Sequence, residues 1–413
     1  MNKRIPKNEL LTGAYFLHPY AQTEQHVKEL AECGVKMIVC FTPKDREILD
    51  VLHKYGVGCI LSGVLPPWWG GDGSSAGTMC KKNPIEVYEK AAAEFIDHPA
   101  VWGIDIGDEP SALDFDHFGK IARYVENSFE NQFAYLNLYP NYAAVSQNDG
   151  NQTVNQLGTP TYEEHIEQYV KKVDLPYISY DFYLYPQTKN HNVGKMLDNY
   201  RIVSDACRRS GKDFWYIPMA NGRYENDFTS LNRMRYQAYT ALSYGATVIN
   251  WACYTAGWWF NQILDAEGNK TEQYDKLKAM NAELHAISDV YMAYRNTATH
   301  LMNFDGETWE KDFPLVTWTD SLDLGFVREL RSGGAKLTVG EMVHRQDENK
   351  RALFICNASD PMDEEGSVAT VSFKSYGRKV IAHSGAGKIK LSKSEDNYVF
   401  ELESNRGVMI TFE

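Results

Sequence analysis

The sequence predicts an α/β fold, a (β/α)8 TIM barrel over residues 1–300 followed by an all-β sandwich domain over residues 301–413. Between residue 11 and about residue 295, short apolar runs alternate with helical stretches eight times. Beyond residue 300 the helical stretches stop, and strand-like runs follow one another with only turn residues between them. Hydrophobic residues make up 43% and charged residues 23% of the 413 residues, a balance that supports folded structure throughout.

The barrel strands are expected at residues 11–17, 36–42, 58–64, 101–107, 133–138, 177–183, 213–219 and 247–254. Each run is too short, and too rich in β-branched or aromatic residues, to be a helix. The helices between them are expected to begin near Thr23, Asp45, Pro84, Ser111, Thr161, Val193, Ser230 and Tyr274. Of these, Ser111, Thr161 and Ser230 carry side-chain oxygens that suit a helix N-cap. The sandwich strands are expected at 315–319, 336–343, 351–358, 368–373, 379–385, 387–392, 397–403 and 407–413.

Composition narrows the function. The 42 Lys and Arg against 55 Asp and Glu leave a net charge of −13, which repels phosphate backbones and anionic membrane surfaces, so neither nucleic acid nor membrane is expected as a partner. Tyr (26) and Trp (9) are abundant, and their flat apolar faces with a polar edge suit stacking on sugar rings. The 7 Cys are odd in number and contain no C-x-x-C pair, which argues against a disulfide framework or a zinc site. Reduced thiols point to the cytoplasm, or to a secreted protein whose signal peptide has been removed. No Walker loop, G-x-S-x-G elbow, H-E-x-x-H or dinucleotide fingerprint is present, so no nucleotide, flavin or metal cofactor is expected. The oligomeric state is open.

In a β/α barrel the reactive groups stand at the C-terminal ends of the strands. Strand four ends in Asp105-Ile106-Gly107-Asp108-Glu109-Pro110, and strict alternation places Asp105, Gly107 and Glu109 on one face. Strand six ends in Tyr180-Asp181-Phe182-Tyr183. Glu109 beside Asp108 suits a general acid, because a neighbouring carboxylate raises the pKa of one of the two. Asn137 and Tyr139 end strand five as cleft lining, His18 ends strand one and is able to bind a sugar hydroxyl, and Asn221 and Arg223 follow strand seven, able to bind hydroxyl or carboxylate groups. Trp68 and Trp69 after strand three, Trp251 at the end of strand eight, and Tyr254, Trp258 and Trp259 beyond it are candidate stacking platforms.

The Glu-Pro at 109–110 ending strand four and Trp251 ending strand eight resemble the clan of retaining β/α-barrel glycoside hydrolases. The run from Arg235 to Ala246 is similar to that of uncharacterised bacterial barrel glycosidases near the β-galactosidases. The likeness spans about residues 11–295. It implies an O-glycosyl hydrolase acting on carbohydrate, with Glu109 as acid/base, Asp108 where the clan has an Asn that binds the sugar 2-hydroxyl, and Trp251 as the floor of the sugar subsite. The clan's nucleophile, a Glu ending strand seven, has no counterpart here. The next carboxylate on that loop is Glu225, and Asp181 on strand six is favoured over it because a strand end positions a group more firmly. Tyr180-Asp181 also resembles the chitinase family, whose members use the N-acetyl group of the substrate as nucleophile, although Gly107 stands where that family has an Asp. A barrel that binds carbohydrate without cleaving it is the remaining alternative.

Overall fold

The computed structural model describes residues 8–90, 95–143, 156–184, 192–257, 259–304, 319–362 and 367–413. The eight apolar runs form strands β1 Leu11–Tyr15, β2 Met37–Phe41, β3 Gly58–Leu61, β4 Val101–Asp108, β5 Phe133–Leu138, β6 Tyr177–Asp181, β7 Asp213–Ile217 and β8 Ala246–Trp251. They pair in chain order, all parallel, and β8 closes on β1 through Gly13 opposite Asn250. Outside the ring lie α1 Glu24–Glu32, α2 Arg46–Lys54, α3 Met79–Lys82, α4 Ile85–Lys90, α5 Phe115–Ser128, α6 Tyr162–Lys172, α7 Val193–Ser210, α8 Leu231–Ser243 and α9 Glu272–Met292. Local chemistry starts several of them: Thr23, Asp45, Thr161, Ser230 and Thr271 each accept a bond from a first-turn N–H. Such caps contribute about 1 kcal/mol apiece.

The C-terminal part is a sandwich of two antiparallel sheets. One runs β14 Val380–His383, β17 Gly407–Phe412, β12 Arg351–Asn357, β11 Leu337–His344, β9 Tyr294–Met302. The other runs β10 Arg328–Arg331, β13 Val368–Lys374, β16 Asn397–Glu403, β15 Ser392–Ser394. The sheet therefore starts at Tyr294, directly after α9, and β9 and β10 are strands that sequence reading did not anticipate. The expected strand at 315–319 lies, except for Thr319, outside the described residues, and the one expected at 387–392 is replaced by β15 a few residues later.

The central strand of the five-stranded sheet, β12, is buried on both faces, which explains its unbroken apolar run. Leu353 and Ile355 pack between the sheets, while Ala352, Phe354 and Cys356 join the barrel core against α8. Every residue of α8 from Arg233 to Ser243 is buried as a result. Gly340 permits this contact, since a Cβ there would lie 2.2 Å from the Ser243 carbonyl oxygen. Polar groups lock the junction: Glu283 on α9 receives Arg235 from α8, the Tyr239 hydroxyl at 3.0 Å and Arg406 of the β16–β17 turn at 3.0 Å.

Two expected sugar platforms belong to this packing and not to the barrel mouth. Trp251 is fully buried, and its indole N–H donates to Asn281 Oδ1 on α9 at 2.9 Å. Alternation admits only one of two adjacent residues to the barrel interior, and Asn250 takes that place beside Gly13, where a Cβ would lie 2.4 Å from Asn250 Oδ1. Tyr254 is likewise fully buried, within electrostatic reach of Cys33, Tyr274 and Glu29 among the helices.

Two outcomes follow. Glu283→Ala strips the buried Arg235 guanidinium of its carboxylate and should destabilise the chain by ~3–5 kcal/mol in urea unfolding, with Arg406→Ala costing less because that side chain is partly exposed. Trp251→Ala should lower the melting temperature through a loss of ~3–5 kcal/mol while leaving ligand affinity near the wild-type value.

Candidate active site

The site is built on an irregularity in β4. Between the pairs Asp105–Tyr135 and Gly107–Leu136, β4 advances by two residues while β5 advances by one. The extra residue breaks strict alternation, so Asp105 and Asp108, and not Asp105 and Gly107, share the inward face. Gly107 turns outward at φ 151°, where a Cβ would lie 2.8 Å from the Phe118 ring of α5. Asp105 accepts from Ser62 Oγ at 2.8 Å and from the Gly107 N–H at 3.0 Å. Glu109 then turns at φ 47°, a left-handed conformation unusual for a glutamate, with its N–H on the Asn137 carbonyl at 2.9 Å.

Asn137 of β5 is the hub. Its side-chain nitrogen donates to Asp108 Oδ1 at 3.1 Å and to Asp181 Oδ1 at 2.7 Å, so those two carboxyl oxygens lie no farther apart than the two bonds laid end to end. Its side-chain oxygen accepts from Ser179 Oγ at 3.0 Å, which fixes the amide with its NH2 group toward the acids. Ser179 continues through the Tyr135 hydroxyl at 3.2 Å to the Tyr15 hydroxyl at 2.5 Å. The polar chain thus runs through the barrel interior up to the mouth.

Glu109 receives the indole N–H of Trp69 at 2.9 Å on Oε2. Its hydrogen-bond partner is that indole and not the adjacent Asp108, which acts on Glu109 by charge. Burial, then the charges of Asp181 and Asp108, hold the Glu109 carboxyl well above the usual range. Burial and the Asp181 charge push Asp108 up to about 8. Burial pushes Asp181 up to about 6 against hydrogen bonds from Asn137 and Tyr183 that favour its charged form. Burial likewise takes Asp105 to about 6. Hydrogen bonds thus favour the charged form of Asp181, whereas the charges of Asp181 and Asp108 oppose ionisation of Glu109.

The remaining sequence candidates divide. Tyr183 is buried, hydrogen-bonds to Asp181 and meets Trp259 edge to face at 4.4 Å between centroids. Tyr139 is buried within reach of the Glu109 and Asp108 charges, its hydroxyl on the Gly71 carbonyl at 3.0 Å. Trp69 is 65% exposed beside Glu109, whereas Trp68 is buried under Lys82 Nζ, 5.6 Å from its ring. His18 binds Thr255 Oγ1 through Nδ1 at 2.6 Å on the β1 side of the mouth, and burial lowers its pKa. Asn221 is fully buried with neither side-chain amide atom hydrogen-bonded. Glu225 is exposed on the loop after β7, and it is not among the charges acting on Glu109. Arg223 is also exposed, and Trp258 lies outside the described residues. Sequence reading assigns Asp105 a face but no place in the site, and assigns Asn137 no central role. The available signal was that each is a polar residue within an otherwise apolar strand. Among the described residues, no group of three or more His, Cys, Asp or Glu could hold a metal ion.

No protein-family model matches the sequence, and no curated protein matches it. Solved structures similar to this chain include a family 51 α-L-arabinofuranosidase from Bifidobacterium longum, at 10% identity over 100% of this chain and 97% of its own, TM-score 0.49. A putative α-L-fucosidase from Bacteroides thetaiotaomicron matches at 11% identity over 68% of this chain and 97% of its own, TM-score 0.47. A glycoside hydrolase family 5 mannosidase from Rhizomucor miehei matches at 13% identity over 70% and 94%, TM-score 0.45. At these identities and TM-scores they carry no residue's role from one chain to another.

Proposed function

We propose that the chain is a glycoside hydrolase in which Glu109 is the general acid and Asp181 the second carboxylate. The observation that carries this is the gathering of Asp108, Glu109 and Asp181 at the C-terminal end of the barrel, with environments that push their pKa values apart. Cleavage of a glycosidic bond needs a protonated acid beside the leaving oxygen and an ionised carboxylate facing the developing oxocarbenium ion. Glu109 meets the first need and Asp181 the second. Asp108 shares the Asn137 amide with Asp181, and the Asp181 charge, with that of Asp108 once it ionises, opposes loss of the Glu109 proton. Trp69 orients the Glu109 carboxyl through its N–H. Glu225, exposed on its loop, is set aside in favour of Asp181.

A second reading, a barrel that binds carbohydrate without cleaving it, draws on β7, which ends at Ile217 and continues Pro218-Met219-Ala220-Asn221 with no carboxylate. A screen of aryl glycosides with wild type beside Glu109→Gln separates the two. Turnover that falls by ~10²-fold or more in the variant supports the hydrolase, and the absence of Glu109-dependent turnover on every glycoside supports the binder. Asp181→Ala should abolish turnover, and external azide should restore it if Asp181 is the nucleophile. If Asp181→Ala leaves turnover intact, a nucleophile from the substrate, such as an N-acetyl group, replaces it.

The pH profile gives an independent check. The rate should rise as Asp181 ionises through about pH 6 and fall where Glu109 loses its proton at higher pH. Asp108→Asn removes a negative charge that opposes Glu109 ionisation, so the alkaline limb should move to lower pH. An alkaline limb that stays in place removes Asp108 from its role.

A further inference from the structure

Most of the large apolar side chains exposed among the described residues stand on loops at one end of the barrel, the end that carries the acids. Tyr20 follows β1, Trp69 follows β3, Tyr142 follows β5, Tyr224 and Phe228 follow β7 and Phe260 follows β8. Two groups among them are structured. On one side, Trp69 is 65% exposed and tied by its N–H to Glu109. On the other, Phe260 (46% exposed) and Tyr224 (43% exposed) belong to loops strapped together by the Gly222–Phe260 backbone pair at 2.8 and 3.0 Å. Asn261 Nδ2 adds bonds to the Glu225 and Asp227 carbonyls at 3.0 and 2.8 Å. Trp259, next to Phe260, meets Tyr183, which bonds Asp181. Each acid of the proposed pair therefore has an aromatic group attached on its own side.

In a closed ring of eight strands, β3 and β7 are four strands apart and face each other across the mouth. Strands spaced 4.8 Å apart and tilted by about 36° close such a ring at about 15 Å across, a span that one sugar ring does not bridge. Flat apolar rings held open to solvent on both flanks of an acid site fit the faces of pyranose rings, which carry axial C–H groups, and the acids between them fit hydroxyl groups.

Resting on the hydrolase reading above, we propose that the substrate is an extended glycan cleaved internally, lying across the mouth from Trp69 to the Phe260–Tyr224 platform. Its leaving-group side rests on Trp69, because Glu109 delivers the proton there. The other side rests on Trp259, Phe260 and Tyr224.

The test uses the full chain with oligosaccharides of one to six units from cellulose, mannan, xylan and chitin, together with aryl monosaccharides. For at least one series, kcat/KM should climb tenfold or more from the dimer to the hexamer, with internal cleavage products. Phe260→Ala and Tyr224→Ala should each reduce turnover of the hexamer by about tenfold. Their effect on turnover of the aryl monosaccharide should be several-fold smaller than on the hexamer. Trp69→Phe, which keeps a ring but lacks the N–H, should retain the length dependence. Length-independent turnover in every series, release of single units only, or an equal effect of Phe260→Ala on short and long substrates overturns the proposal. So does a dimer in sedimentation that Phe260→Ala dissociates, since a second copy then occupies the platform. Glu109-dependent aryl-glycoside turnover without any length effect removes the extended glycan and keeps the hydrolase. Length-dependent binding of the hexamers without Glu109-dependent turnover keeps the platform and removes the hydrolase.

Discussion

One side-chain amide holds the mouth of this barrel together. Asn137 supplies two N–H bonds to two carboxyl groups, Asp181 buried and Asp108 half-buried, that would otherwise face each other in a medium of low polarity. An unpaired buried carboxylate is among the most costly groups a fold can carry, and among the described residues no cation is one of the groups acting on Asp105, Glu109 or Asp181. The amide works only with its oxygen directed away from the acids, and the Ser179–Tyr135–Tyr15 chain enforces that orientation. The β4 bulge, the outward glycine at 107 and the left-handed backbone of Glu109 are the geometry that brings three acids to this amide.

The far side of the mouth is held differently. Gln237 of α8 exchanges two bonds with the backbone of Met219, and Gln273 of α9 donates to the carbonyls of Ala220 and Thr229. Arg233 binds Asp227 inside the same loop. These helices are the ones the sandwich covers, through Phe354 and Cys356 on α8 and α9 and through Arg406 on Glu283. The second domain thus fixes the loops that bear Tyr224 and Phe260 although it lies behind them, and burial of polar side chains transmits the constraint.

Much of this was legible in the sequence because it depends on local patterns. Eight apolar runs, caps at Thr161 and Ser230, and acids at the ends of buried runs are periodic or terminal signals. What escaped depends on geometry that periodicity does not encode. A bulge adds one residue and reverses every inward assignment after it, which is why Asp108 and not Gly107 joins Asp105. Trp251 sits at a strand end like a ligand platform, yet its neighbour Asn250 fits the space that Gly13 leaves, and the tryptophan is turned to α9. β9 follows α9 without a turn signal, and its mixed polar sequence, YRNTATHLM, reads as the tail of a helix. Asn137 is a polar residue in an apolar strand, and its importance appears only when β4 and β6 stand on either side of it.

The acid cluster also sets how the fold answers to pH. Asp105, Asp108, Glu109 and Asp181 all have folded-state pKa values raised above the ~4 of an unfolded chain. The folded state therefore binds more protons than the unfolded one, and stability falls as pH rises. The contribution is complete below about pH 4 and is lost through about pH 6 for Asp105 and Asp181 and about pH 8 for Asp108. At neutral pH the site is thus a local strain on the barrel, offset by core packing and by the sandwich contact on α8 and α9. A chain selected for stability alone would replace one of these carboxyl groups with an amide. Their presence side by side is what the proposed proton transfer requires, since the charge of one holds the proton of the other.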